Sequence, residues 1–144
     1  MEIKSLRFGS LEVDESSFIH FPWGLPGFEG LKRYALLRHE DGPFFWLHAI
    51  DDPGVAFVVC APEIQGFTFR VPGEKLAPIS VESEEDLMVM IMVSFNRTDK
   101  AMRPHLRGPL LFNTSSHVGY QWIMDNNDME KYISSLTPPL AAQG

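Results

Sequence analysis

Between Phe18 and Gly30 the chain reads Phe-Ile-His-Phe-Pro-Trp-Gly-Leu-Pro-Gly-Phe-Glu-Gly, and no regular element can run through it. Pro22 and Pro26 fix φ and lack a backbone donor, while Gly24 and Gly27 tolerate positive φ. The segment must therefore be a turn-rich loop, and Pro26-Gly27 fits the two central positions of a type II turn. Phe21, Trp23, Leu25 and Phe28 are too apolar for an ordinary solvated loop. Either they plug the end of a β core or they form a contact surface for another protein. Large aromatics are more often buried than displayed, which favours the plug.

Around this loop the chain alternates short apolar runs with turn signals. A first strand falls within Ile3–Phe8, Gly9-Ser10 turns it, and Leu11–Val13 pairs back; Phe18–Phe21 is a short strand entering the loop. Tyr34–Leu37 is a strand between charged residues. Phe44–Ile50 and Val55–Ala61 flank Asp51-Asp52-Pro53-Gly54 and form a hairpin. Both arms are apolar almost throughout, as expected of strands covered on two faces. Phe67–Val71 alternates, and Leu76–Val81 is ambiguous because Pro78 argues against a central strand. Ser83-Glu84-Glu85-Asp86 can cap one helical turn, and Leu87–Phe95 is expected to be the longest, central strand with its methionines buried. Asn96–Gly108 carries Arg97, Lys100, Arg103 and Arg107 and reads as an exposed connection. Leu110–Asn113 and Tyr120–Met124 form a last hairpin. Asn127 and Glu130 have capping-box spacing, and Met129, Tyr132, Ile133 and Leu136 recur at helical intervals, so a short helix is expected over Asn127–Leu136.

At 144 residues the chain is one domain by length, and its 11 prolines and 11 glycines favour short strands over long helices. Nineteen acidic against 12 basic residues give a net charge of −7, which opposes direct binding to a phosphate backbone and suits a basic protein partner. Cys60 is the single cysteine, so no internal disulfide forms, and the first residues lack an apolar core of signal-peptide length. No apolar run is long enough for a membrane helix. A cytoplasmic location is expected.

Catalytic constellations are not evident. His20, His39, His48, His105 and His117 are scattered singly, which does not make a metal site. Adjacent Ser116 and His117 read as turn residues rather than as nucleophile and base. Gly24 and Gly27 lack a surrounding βαβ unit, so they are no dinucleotide fingerprint. Glu82, Glu84, Glu85 and Asp86 are the densest acidic cluster, either a solvated loop or a recognition patch for a basic partner.

The run Phe21-Pro22-Trp23-Gly24-Leu25-Pro26-Gly27-Phe28-Glu29, followed by Pro43–Leu47, Ala56–Val59, Glu82–Leu87, Gly108–Asn113 and Gly119–Ile123, resembles the FliW family of flagellar assembly factors. The Gly-Leu-Pro-Gly-Phe-Glu segment is the most specific piece. The resemblance implies a small, mostly antiparallel β-barrel-like protein without catalysis or cofactor. It also implies two partners: flagellin, bound in the cytoplasm as by a chaperone, and the RNA-binding translational regulator CsrA. Free FliW holds CsrA off flagellin messenger RNA by an allosteric contact, and new flagellin draws FliW away. One stretch departs from the family: Met102–Pro109 stands where a Thr-x-Asn-Leu-x-Ala-Pro run is usual.

The expected protein is thus mostly β, a small antiparallel β-barrel-like domain over residues 1–125, with a short amphipathic helix and flexible tail over 126–144. Glu82, Glu84, Glu85 and Asp86 are the candidate contacts for a basic partner, and Trp23, Leu25 and Phe28 are further contact candidates. No metal, cofactor, membrane or direct nucleic-acid contact is expected. The rival reading is a small-ligand-binding barrel with Phe44, Trp46 and Trp122 as pocket walls. A third is a hydrolase built on Ser116 and His117.

Overall fold

The computed structural model describes residues 1–136. The chain begins as a hairpin, β1 (Glu2–Ser5) and β2 (Gly9–Glu12), and continues through β3 (Ile19–His20), β4 (Arg33–Arg38), β5 (Phe44–Ala49), β6 (Ala56–Cys60) and β7 (Phe67–Phe69). A four-residue helix α1 (Gly73–Leu76) precedes β8 (Leu87–Phe95), β9 (Met102–Pro104), β10 (Leu110–Asn113) and β11 (Val118–Gln121). Helix α2 (Asn126–Tyr132) and strand β12 (Ile133–Ser135) follow. Among the described residues no helix is long and apolar enough to cross a membrane.

Strands β11, β3, β4, β5, β6, β8 and β10 are neighbours in that order, and β10 also pairs with β11, so the sheet closes on itself. Closure removes free strand edges, and that is why so many short strands are stable together. All the joints are antiparallel except β11 on β3, a single parallel bridge between Val118 and His20. At nine residues, β8 is the longest strand. It carries β6 on one edge and both β10 and β9 on the other.

Alternation along the strands separates an inner core from outer ones. Met88, Met90 and Met92 point into the barrel with Tyr34, Leu47, Val59, Leu110 and Phe112. The opposite face of β8, Leu87, Val89, Ile91 and Val93, packs under a second layer made by β7, β12, α1 and α2. On the far side, the β1–β2 hairpin covers Ala35 and Ile50 with Ile3 and Val13. This is the physical reason the strand segments are apolar on both faces. A buried polar contact fixes the first hairpin: His48 donates from Nδ1 to the Ala49 carbonyl (2.7 Å), leaving Nε2 to accept the Ser5 hydroxyl (2.8 Å). Ser5 Oγ in turn accepts the N–H groups of Arg7 and Phe8.

Several boundaries differ from the sequence expectation. The first strand stops at Ser5 because that hydroxyl starts the turn. Asn96–Gly108 is not wholly an irregular connection: β9 forms within it and pairs with the end of β8. The second arm of the last hairpin is Val118–Gln121 rather than Tyr120–Met124, since His117 takes φ 60° and turns the chain sooner. Residues Trp122 and Met124 instead hydrogen-bond back to Pro109 and Arg107.

The helix is shorter than Asn127–Leu136 and is capped by a different pair. Asp125 accepts from the Asp128 N–H (2.8 Å), and Asp128 accepts from the Asp125 N–H (3.3 Å). Ile133–Ser135 is strand because β7 offers it an edge: Ile133 pairs with Phe69 and Ser135 with Phe67. Satisfying that edge outweighs the weak helix preference of Ile-Ser-Ser. The expected flexible tail falls on residues 137–144, outside the described residues.

Candidate functional site

The Phe18–Gly30 loop is three consecutive turns. The N–H of Gly24 bonds the Phe21 carbonyl (2.9 Å), that of Phe28 the Leu25 carbonyl (2.7 Å), and that of Leu31 the Phe28 carbonyl (3.0 Å). Gly27, at φ 85°, follows Pro26 as the type II turn requires. Phe21 and Leu25 drop into the barrel, 0% and 1% exposed, and close its end. Phe21 meets Tyr34 and Phe112 edge-on at centroid distances of 5.1 and 5.8 Å. Leu25 is therefore not a surface contact residue as expected above: the turn that displays its neighbours points it at the core.

Trp23 and Phe28 remain outside, 55% and 37% exposed. Trp23 leans edge-on to Tyr120 at 6.0 Å, and Phe28 to Phe57 at 5.2 Å. Burial pushes the Tyr120 phenol up to about 12, so it stays protonated and donates to the Lys75 carbonyl. Trp23, Pro26, Glu29, Pro78, Tyr120 and Gln121 wall an open groove of about 380 Å³. Hydrogen bonds from the Gly27 and Glu29 N–H groups hold the Glu29 carboxyl below its ordinary value, keeping a negative charge on the groove rim.

The acidic segment forms one 3-10 turn, Glu84–Asp86, capped by the Ser83 hydroxyl. Glu82, Glu84 and Glu85 are exposed and Asp86 is partly buried. Among the described residues none of the four makes an ion pair. The Asp86 carbonyl accepts from the Thr114 N–H (2.8 Å) and hydroxyl (3.2 Å), which ties this turn to the β10–β11 turn. Glu82 and Asp86 wall a second cleft, of about 500 Å³, together with Pro78, Ile79, Ser115 and Ser116.

Pro78 borders both hollows. The tertiary structure thus sets Trp23 and two of the four acids along one continuous surface, although about 60 residues separate them in the chain. Pro78, Tyr120 and Ser115 line this candidate surface without having been singled out as contact residues, and Ser116, weighed above only as a nucleophile, lies beside them. Pro78 carried a signal only as a breaker of strand, and nothing local placed it between the two patches.

Asn113 holds this surface together. It is 6% exposed; its amide donates to the Ile79 (2.9 Å) and Ser80 (3.4 Å) carbonyls, and its oxygen accepts from the Ser115 (2.9 Å) and Ser116 (3.2 Å) N–H groups. Replacing it with alanine strands those buried backbone groups, so Asn113→Ala should lose about 1–3 kcal/mol. Urea unfolding checks this, and an unchanged midpoint would show that the amide does not organise the cleft.

The alternative sites fare differently. Phe44, Trp46 and Trp122 do not converge: Phe44 lies beside Cys60 and Ile91, Trp46 under Phe8 and Arg7, and Trp122 against Tyr132. They pack on the outer faces of a ring whose interior other residues fill. The apolar hollow at the barrel mouth, about 270 Å³ between Ile19, Leu36, Met88 and Phe112, includes none of them. No hydrogen bond joins the Ser116 and His117 side chains among the described residues. Burial raises the Cys60 thiol to about 11, leaving it protonated at neutral pH. No group of three or more His, Cys, Asp or Glu is placed to hold a metal ion among the described residues.

The family described as FliW protein matches residues 2–133. Among curated relatives, "Flagellar assembly factor FliW" of Caldicellulosiruptor saccharolyticus is 33% identical over 126 residues, covering 86% of this chain and 83% of the relative. The protein of the same description from Caldanaerobacter subterraneus is 33% identical over 137 residues, covering 92% and 89%. That from Treponema denticola is 33% identical over 132 residues, covering 88% and 87%. A solved structure, "Crystal structure of the flagellar assembly factor FliW", superposes with a TM-score of 0.80 at 23% identity, covering 96% of this chain and 99% of the other. At that identity the superposition speaks for the fold.

Proposed function

The chain belongs to the FliW family, and from that membership we infer that it is a flagellar assembly factor acting by protein–protein contact rather than by catalysis. In this reading it binds newly made flagellin in the cytoplasm and, when free of it, antagonises the translational regulator CsrA by an allosteric contact. The supply of flagellin then sets its own rate of synthesis.

The observation that carries the contact reading is the shared surface on either side of Pro78. An exposed tryptophan supplies apolar area on one side, and Glu82 and Asp86 line the cleft on the other. Aromatic anchors beside charge are a usual composition for a binding patch. CsrA, as an RNA-binding protein, carries cations for phosphate, and unpaired carboxylates at Glu82, Glu84, Glu85 and Asp86 complement them.

Reversing charge with Glu84→Lys and Glu85→Lys is expected to weaken the CsrA complex roughly tenfold or more at low ionic strength and to flatten its salt dependence. Both side chains are exposed, so the fold should survive. Calorimetric titration with purified CsrA reads the effect, and an unchanged affinity at low salt would remove the acidic turn from the contact.

A further inference from the structure

The outward apolar row of β8 runs on past the layer that covers it. Ile91 and Val93 are 0% and 7% exposed beneath Phe69 and Leu106. Phe95, two residues further on the same face, is 57% exposed. Met102, directly across from it on β9, is 40% exposed. A cross-strand apolar pair is thus displayed at the tip of a hairpin.

The charge around that pair opposes the rest of the molecule. Within residues 94–103, Arg97, Lys100 and Arg103 stand against one carboxylate, Asp99, in a chain of net charge −7. Asp99 pairs with Arg103, while Arg97 and Lys100 are exposed without an ion pair among the described residues. Among the described residues no strand pairs with the outer edge of β9, and that edge is a poor template for strand addition. The bonds from the Asn96 N–H to the Ala101 carbonyl and from the His105 N–H to the Met92 carbonyl turn alternate backbone groups of this arm toward β8. Met102 and Pro104 are left on the free edge, and Pro104 has no N–H to offer. A partner must dock on the side chains.

We propose that this hairpin tip is a second docking surface, which seats an apolar segment of flagellin flanked by carboxylates against Phe95 and Met102. The proposal rests on the reading above that the chain binds both flagellin and CsrA. Of those two, the RNA-binding protein carries its own cations, which Arg97 and Lys100 repel. It is drawn instead to the acidic turn at the other end of β8, roughly 25–30 Å away along a strand of nine residues. The uncovered apolar pair and its cations suit the other partner.

The test is calorimetric titration of the full chain with purified flagellin and, separately, with CsrA. Two double variants are compared with wild type: Phe95→Ser with Met102→Ser, and Arg97→Glu with Lys100→Glu. Each should weaken flagellin binding about tenfold or more, as loss of a central anchor does. The charge variant's loss should shrink as salt rises. CsrA affinity should be unchanged by the first variant and unchanged or higher for the second. Flagellin affinity within about twofold of wild type for both variants overturns the proposal while leaving the functional reading intact. Equal losses toward both proteins overturn the assignment of this surface to flagellin. If wild type does not bind flagellin, the functional reading fails and this proposal falls with it.

Discussion

Phe21→Ala is expected to cost about 3–5 kcal/mol, the range for removing a large aromatic from a packed core. Phe21 is fully buried and contacts two other rings, Tyr34 and Phe112, which come from different strands of the closed sheet. Pro22 follows it directly and the Phe21 N–H is bonded to the Lys32 carbonyl (2.8 Å), so the backbone cannot move inward to fill the space. The loss is a large share of the roughly 5–15 kcal/mol that holds a typical domain. Urea unfolding would show it as a lower midpoint. An unfolding free energy within about 1 kcal/mol of wild type would mean that the loop merely covers the barrel and does not plug it.

Gly24→Ala is the second large effect, and it acts through the backbone. Gly24 has φ 67°, and a Cβ there would stand 2.6 Å from the Glu29 Cα and 2.7 Å from the Glu29 carbonyl oxygen. An L-residue in the left-handed region costs about 1–2 kcal/mol and overpacking about 1–3 kcal/mol, so about 2–5 kcal/mol is expected in all. Gly27 is the control. It has φ 85° but nothing within 4 Å of its would-be Cβ, so Gly27→Ala should lose only the conformational part. Equal losses for the two variants would refute the steric account. Because Gly24 sets the angle between Trp23 and Leu25, the same change should also disturb the exposed tryptophan.

Burial within this loop shows how far a sequence can be read. Its apolar residues were recognisable as too many for a solvated loop, and the type II turn at Pro26-Gly27 followed from two residue types. Which of the four large side chains faced inward was not readable, because that depends on three successive turns and on the ring they close. Leu25 and Trp23 are two residues apart and equally apolar by composition, yet one is in the core and the other largely exposed.

The C-terminal segment shows the same limit from another direction. Met129, Tyr132 and Ile133 had helical spacing, but Ile133 left the helix for an edge of β7 that lies more than 60 residues earlier. Likewise β9 was invisible in a stretch rich in charge, because only the overhanging end of β8 gives it a partner.

What the sequence alone determined is local: the proline and glycine turns, the apolar runs that became strands, the inward row of β8 methionines, of which Met90 is buried and Met88 and Met92 partly so, and the resemblance to FliW in the order of its motifs. Those depend on the conformational limits of single residues and on period-two patterning, which act over a few positions. The tertiary structure decided the rest. It closed the ring through β10 and β11, chose Phe21 and Leu25 as the plug, and brought Trp23 and the acidic cleft to opposite sides of Pro78. Such placements come from pairing and packing between distant segments, whose energy appears only when both partners are present.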